Sequence, residues 1–66
     1  MNSAPPNVTG KKAYSIDEFS AAHGISPAFY FKLRKAGEGP TEMHVGARRL
    51  ISVESAAAWR KQREAV

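Results

Sequence analysis

The chain has 66 residues, with 10 Lys and Arg against 6 Asp and Glu, and no cysteine. At this length a chain forms one domain that buries only about 60% of its unfolded surface, which leaves little wall for the water-excluding pocket of an enzyme. Without thiols it carries neither a disulfide nor a cysteine zinc site, and a net charge of +4 points to a polyanionic partner, nucleic acid ahead of a membrane surface.

Residues 1–13 carry Pro5, Pro6, a glycine, small polar residues and then Lys11-Lys12, with no hydrophobic period. They read as a flexible basic arm. The opening Met1–Asn7 lacks a basic n-region and an apolar run, so no signal peptide is expected. No apolar stretch approaches the roughly 18 residues of a membrane span. Asn7-Val8-Thr9 spells a glycosylation sequon, read as chance without a secretory signal. The absence of cysteine fits a reducing cytosol, so the expected location is cytoplasmic.

The folded part is expected over residues 14–64. Ser15-Ile16-Asp17-Glu18 has the form of a capping box, with Tyr14 and Phe19 placed as a hydrophobic staple. A helix of about seven or eight residues follows and stops at Gly24. Ser26 then caps a second helix with Pro27 at its first position, where the missing N–H costs nothing. That helix runs to Ala36, and Gly37 and Gly39-Pro40 end it. Thr41–Val45 alternates polar and apolar, Gly46-Ala47-Arg48 turns the chain, and Arg49-Leu50-Ile51 is β-prone, which together predict a hairpin. Ser52 caps a last helix over Val53 to about Glu64, with Ala56 and Trp59 inward and Arg60, Lys61 and Arg63 in its final turns.

Phe19, Ser20, Gly24, Ile25, Tyr30 and Leu33 have the spacing of a helix-turn-helix. The small residue allows close approach, the glycine takes the turn, and the apolar residues lock the second helix across the first. If Tyr30 and Leu33 face inward, then Ala28, Lys32 and Lys35 face outward, with Phe29 and Phe31 on the flanks. Such a face fits a major groove, its first turn at base edges and its lysines at phosphate or guanine.

Gly24-Ile25-Ser26 through Leu33-Arg34-Lys35-Ala36-Gly37, then Gly39-Pro40, resembles the small excisionase and AlpA-like proteins, winged-helix relatives of MerR-type DNA-binding domains. Val45 to Ser52, with Ala56 and Trp59, looks like that group's wing and closing helix. The resemblance spans about residues 14–62. It implies an α+β fold, a small winged helix-turn-helix in the order helix, turn, helix, β-hairpin, helix. It implies that Ser26, Pro27, Ala28, Phe31, Lys32 and Lys35 lie on the groove-facing side, with Arg48 and Arg49 on the wing. Pro27 stands where the group often has a polar or basic residue, and Phe31 where tyrosine is common. Phosphate contact and DNA shape then carry more of the recognition.

Other constellations read as ordinary structure. His23 and His44 are lone histidines, and no metal or cofactor is expected. Ser15, Asp17 and His23 form no triad, since the cap uses Ser15. Asp17 and Glu18 diverge by about 100° and form no catalytic pair. Trp59 reads as core, and Arg60, Lys61 and Arg63 as a solvated helix end. Phe29 reads as core fill against the hairpin, and Phe31 equally as core or as a contact to bases and thymine methyls.

The expected function is therefore non-enzymatic binding of double-stranded DNA, by an excisionase (recombination directionality factor) or a transcriptional regulator of a bacterium, phage or mobile element, associated with the nucleoid. Lys32, Arg34, Lys35, Arg48 and Arg49 are expected to meet phosphates. Several copies on adjacent sites are expected, since single modules bury only about 600–1,000 Å², with an integrase or RNA polymerase as protein partner. The competing expectation is a protein-interaction adaptor or antitoxin-like module whose basic charge serves solubility.

Overall fold

A computed structural model of the chain describes residues 11–65. The order of elements is β1 (Ala13–Ser15), α1 (Ile16–Ala22), α2 (Pro27–Lys35), β2 (Met43–Val45), β3 (Arg48–Ser52) and α3 (Val53–Glu64). Three helices thus accompany a three-stranded antiparallel sheet of order β1-β3-β2, an α+β arrangement. Among the described residues, no helix is long and apolar enough to cross a membrane.

The helix boundaries follow from local chemistry. Ser15 Oγ accepts from Glu18 N at 3.1 Å while the Glu18 carboxylate accepts from Ser15 N at 2.9 Å, the reciprocal capping box. At the other end of α1, Gly24 N donates to Ala21 O and Ile25 N to Ser20 O, a Schellman motif that requires the left-handed Gly24 (φ 71°). The same motif closes α2, with Gly37 N on Arg34 O and Glu38 N on Leu33 O. Ser52 Oγ caps α3 by accepting from Ser55 N at 2.9 Å. Four residues, His23 to Ser26, separate α1 from α2, so the first helix turns directly into the second.

The strands differ from expectation at three points. The sequence predicts two strands, and β1 makes a third: Tyr14 lies opposite Ile51, and Val53 N donates to Lys12 O at 2.9 Å just beyond it. Three residues are too few for a period of two to show, so β1 has no signature in the sequence. The hairpin loop is also shorter than predicted. Val45 pairs with Arg48, which leaves Gly46-Ala47 as a two-residue turn with Gly46 at positive φ. Arg48 accordingly opens β3, and Thr41 and Glu42 precede β2.

The arm expected over residues 1–13 lies outside the described residues as far as residue 10, as does the sequon at Asn7. Lys11 to Ala13 belong to the folded part. Ala13 opens β1, and Lys11 Nζ is 3.1 Å from a Glu18 carboxylate oxygen.

The core is built on aromatic contacts. Phe19, Tyr30, Ile51 and Ala56 are fully buried, with Tyr14, Ile16, Ile25 and Trp59 packed around them. Phe19 is the hub. Its ring meets Tyr30 edge-on at 5.6 Å and Trp59 edge-on at 5.3 Å, and it stacks on His23 at 4.1 Å. Trp59 Nε1 donates to Glu38 O at 2.8 Å, so the core tryptophan also anchors the loop after α2.

Candidate nucleic-acid interface

Helix α2 divides into two sides. Tyr30 and Leu33 are buried, three residues apart on the inner side. Ser26, Pro27, Ala28, Phe31, Lys32 and Lys35 are all exposed on the other. Ser26 Oγ accepts from Phe29 N at 3.0 Å, which fixes the first turn. The helix contains no acidic residue, and its last turn carries Lys32, Arg34 and Lys35. Phe29, expected to fill core, is instead 46% exposed. It follows Ser26 and precedes the buried Tyr30, and is turned about 100° from that inner side.

Glu42 is the residue the sequence reading missed. Its carboxylate is only 10% exposed and accepts a hydrogen bond from the Tyr30 hydroxyl. Arg34 Nε lies 3.4 Å from one carboxylate oxygen and an Arg49 guanidinium nitrogen 3.2 Å from the other. One carboxylate therefore joins α2 to the hairpin through three side chains. Burial, then the hydrogen bond to Glu42, raises the Tyr30 pKa far above the usual phenol range and keeps the hydroxyl a donor.

This arrangement separates five cations expected to act together. Adjacent strand residues point to opposite faces, so Arg48 and Arg49 do not form a pair at the hairpin tip. Arg49 turns toward Glu42, on the side of the sheet that carries buried Ile51. Arg48 stands across from Val45 on the other face. Arg34 is likewise engaged, with its guanidinium 5.5 Å from the centre of the Phe31 ring. Among the described residues, Lys32, Lys35 and Arg48 have no acidic partner. Of the five, three are thus uncommitted and two are shared with Glu42.

The remaining cations and histidines occupy other roles. His23 caps the end of α1, its Nδ1 lying 2.8 Å from Phe19 O. Arg60 donates to its Nε2 at 3.1 Å, which fixes the ring as the Nδ1–H tautomer. Arg63 lies 3.9 Å from Glu38 and 5.7 Å from the Trp59 ring centre. Among the described residues, no three His, Asp or Glu side chains gather as a metal-binding set. A crevice of about 90 Å³ between Pro40 and Trp59 is well below the roughly 300 Å³ at which small-molecule pockets begin.

Compared with protein-family models, with curated proteins and with solved structures, the chain matches none.

Proposed function

We propose that the chain is a small winged helix-turn-helix that binds double-stranded DNA without catalysing chemistry, α2 entering the major groove and the β2–β3 hairpin lying against the backbone. The observation that carries this reading is the outer side of α2 with the hairpin tip: Lys32, Lys35 and Arg48 stand exposed without an acidic partner, beside a helix that contains no acid. Phosphates complete such a surface, and release of their counterions supplies the affinity. Glu42 supports the reading by tying the hairpin to α2, so that both can meet one duplex in fixed register.

In this reading the protein acts in the cytoplasm on nucleoid DNA, as an excisionase or a transcriptional regulator, with an integrase or RNA polymerase as its protein partner. The longest dimension is 38 Å, close to one turn of B-DNA at about 34 Å. One copy covers too little sequence for a unique site, so several copies occupy adjacent sites. A second reading, a protein-interaction module, draws on Met43 and Val45, which stand exposed on β2, an outer strand of the sheet.

Fluorescence anisotropy with a labelled random-sequence duplex, titrated in salt, separates the two. DNA binding requires a log–log slope of about −0.9 for each phosphate contacted. An affinity indifferent to salt, or no duplex binding at low salt, would leave the interaction module standing. Footprinting at saturation is expected to protect more than one turn.

A further inference from the structure

Hydrogen-bonding side chains are scarce where a groove-entering helix needs them. Pro27 and Ala28 offer none, which leaves in the first turn only the Ser26 hydroxyl, whose Oγ accepts from Phe29 N. What the outer side of α2 does offer is a fixed aromatic ring. Phe31 is 45% exposed, yet it is held edge-on to Tyr30 at 5.6 Å with the Arg34 guanidinium 5.5 Å from its centre. Arg34 is in turn held by Glu42 at 3.4 Å. Ala28, Phe31 and Lys35 follow one another along the helix at i, i+3 and i+7, which places the ring on the face that carries the lysines. An exposed ring gains by meeting an apolar group, and the surrounding charge selects what can bring one. With Lys32, Arg34 and Lys35 about it and no acid on the helix, the fitting surface is polyanionic. In the major groove, the apolar group on a base edge is the thymine C5-methyl.

We propose that, if α2 enters the major groove as inferred above, Phe31 with Ala28 reads thymine through its C5-methyl group, so that sequence preference rests on apolar contact. Lys32 and Lys35 set the helix on the backbone, and the Glu42–Arg34 pair holds the ring at one angle.

The test uses the full chain and a duplex selected by it from a random-sequence pool. The same duplex is remade with deoxyuridine at every thymidine, which removes only the methyl groups. The wild-type protein is expected to bind the uracil duplex about fourfold more weakly for each methyl it covers, the worth of one buried carbon group. Phe31→Ala is expected to bind both duplexes equally, with an unchanged salt slope because no phosphate contact is lost. Phe31→Leu, which keeps an apolar contact and guards against loss of the fold, is expected to retain part of the discrimination. Equal wild-type binding of both duplexes, with normal salt dependence, overturns the methyl proposal and leaves DNA binding intact. Discrimination that survives in Phe31→Ala overturns the assignment to this ring. Absence of salt-dependent duplex binding in the wild type removes the DNA reading and this proposal together.

Discussion

Two parts of the molecule carry clustered cations and differ in what those cations do. The end of α3 carries Arg60, Lys61 and Arg63. There Arg60 donates to the His23 ring and Arg63 lies beside Glu38 and the Trp59 ring. These arginines cover aromatic groups that flank the core, and their charge is partly spent on the fold. The outer side of α2 carries Lys32 and Lys35, which stand exposed and, among the described residues, meet no acid. A charge count weighs both regions alike, whereas a phosphate responds to the cations that cost least to redirect.

The sharpest way to break this contrast is to reverse charge in each region. Lys35→Glu with Arg48→Glu is expected to weaken duplex binding by at least tenfold near 0.1 M salt and to lower the salt slope by roughly two. Lys61→Glu with Arg63→Glu changes the net charge equally and is expected to leave affinity within about threefold. Equal losses in anisotropy titrations would show that only total charge matters and would dissolve the distinction.

Arg34 and Arg49 stand between the two extremes, since each gives part of its charge to Glu42. Glu42→Ala strands two guanidinium groups and the Tyr30 hydroxyl. A hydrogen bond to a charged group contributes about 1.5–3 kcal/mol, and the carboxylate here is only 10% exposed. The expected loss is about 2 kcal/mol, which lowers the melting temperature by roughly 8–16 °C in a domain of this size. Glu42→Gln keeps an acceptor for Tyr30 and is expected to lose less. Because the Tyr30 pKa is raised in the fold, its contribution is complete below the ordinary phenol value of 10.0 and is lost as pH rises through the shifted one. Thermal melts of Tyr30→Phe should show a flatter alkaline limb.

A smaller effect sits at the start of α1, where Lys11 is committed to Glu18 and so resembles the α3 arginines. Removing the cap by Ser15→Ala is expected to cost about 1 kcal/mol. The backbone N–H of Ser15, then the Lys11 ammonium, hold the Glu18 carboxyl below its usual 4.5. A depressed carboxyl stabilises the fold above the unfolded value and ceases to do so as pH falls through the lowered one. Urea titrations between pH 6 and 3 should therefore show a shallower acid loss in Glu18→Gln. The difference should be small, because the pair is solvent-screened.

What was legible in the sequence follows from the range of the interactions involved. The caps at Ser15, Ser26 and Ser52 and the stops at Gly24 and Gly37 act within a few residues, and all of them place helix ends as read. The inward set Phe19, Ser20, Tyr30 and Leu33 was legible because a period of 3.6 leaves little choice of face. Strand β1 was hidden, since its partner lies nearly forty residues away and its three residues carry no period. Glu42 was hidden for a different reason, since its partners lie only 7 to 12 residues away but on separate elements. Strand alternation places it with His44, but only the packed structure sets it under the Tyr30 hydroxyl. Its carboxylate also engages Arg34 and Arg49, which leaves Arg48 apart from its neighbour. The cations of the candidate interface were thus legible as residues and illegible as a set.

The smallest expected effect tests the inner side of the same two helices. Ser20 is 1% exposed, and its hydroxyl has no hydrogen-bond partner among the described residues. Its backbone carbonyl, by contrast, accepts from Ile25 N at 3.0 Å and helps close α1. The residue therefore serves by being small and by its main chain, while the buried hydroxyl costs desolvation without return. Ser20→Ala removes the hydroxyl, keeps the close approach of α1 and α2, and favours the helix. It is expected to raise stability by up to about 1 kcal/mol, or roughly 4–8 °C in melting temperature, with duplex affinity unchanged. Ser20→Val has the opposite sign, because the added volume meets a closely packed turn. A destabilised alanine variant would mean that the hydroxyl holds the α1–α2 turn after all. Stabilisation with altered DNA affinity would mean that the inner and outer sides of α2 are not independent.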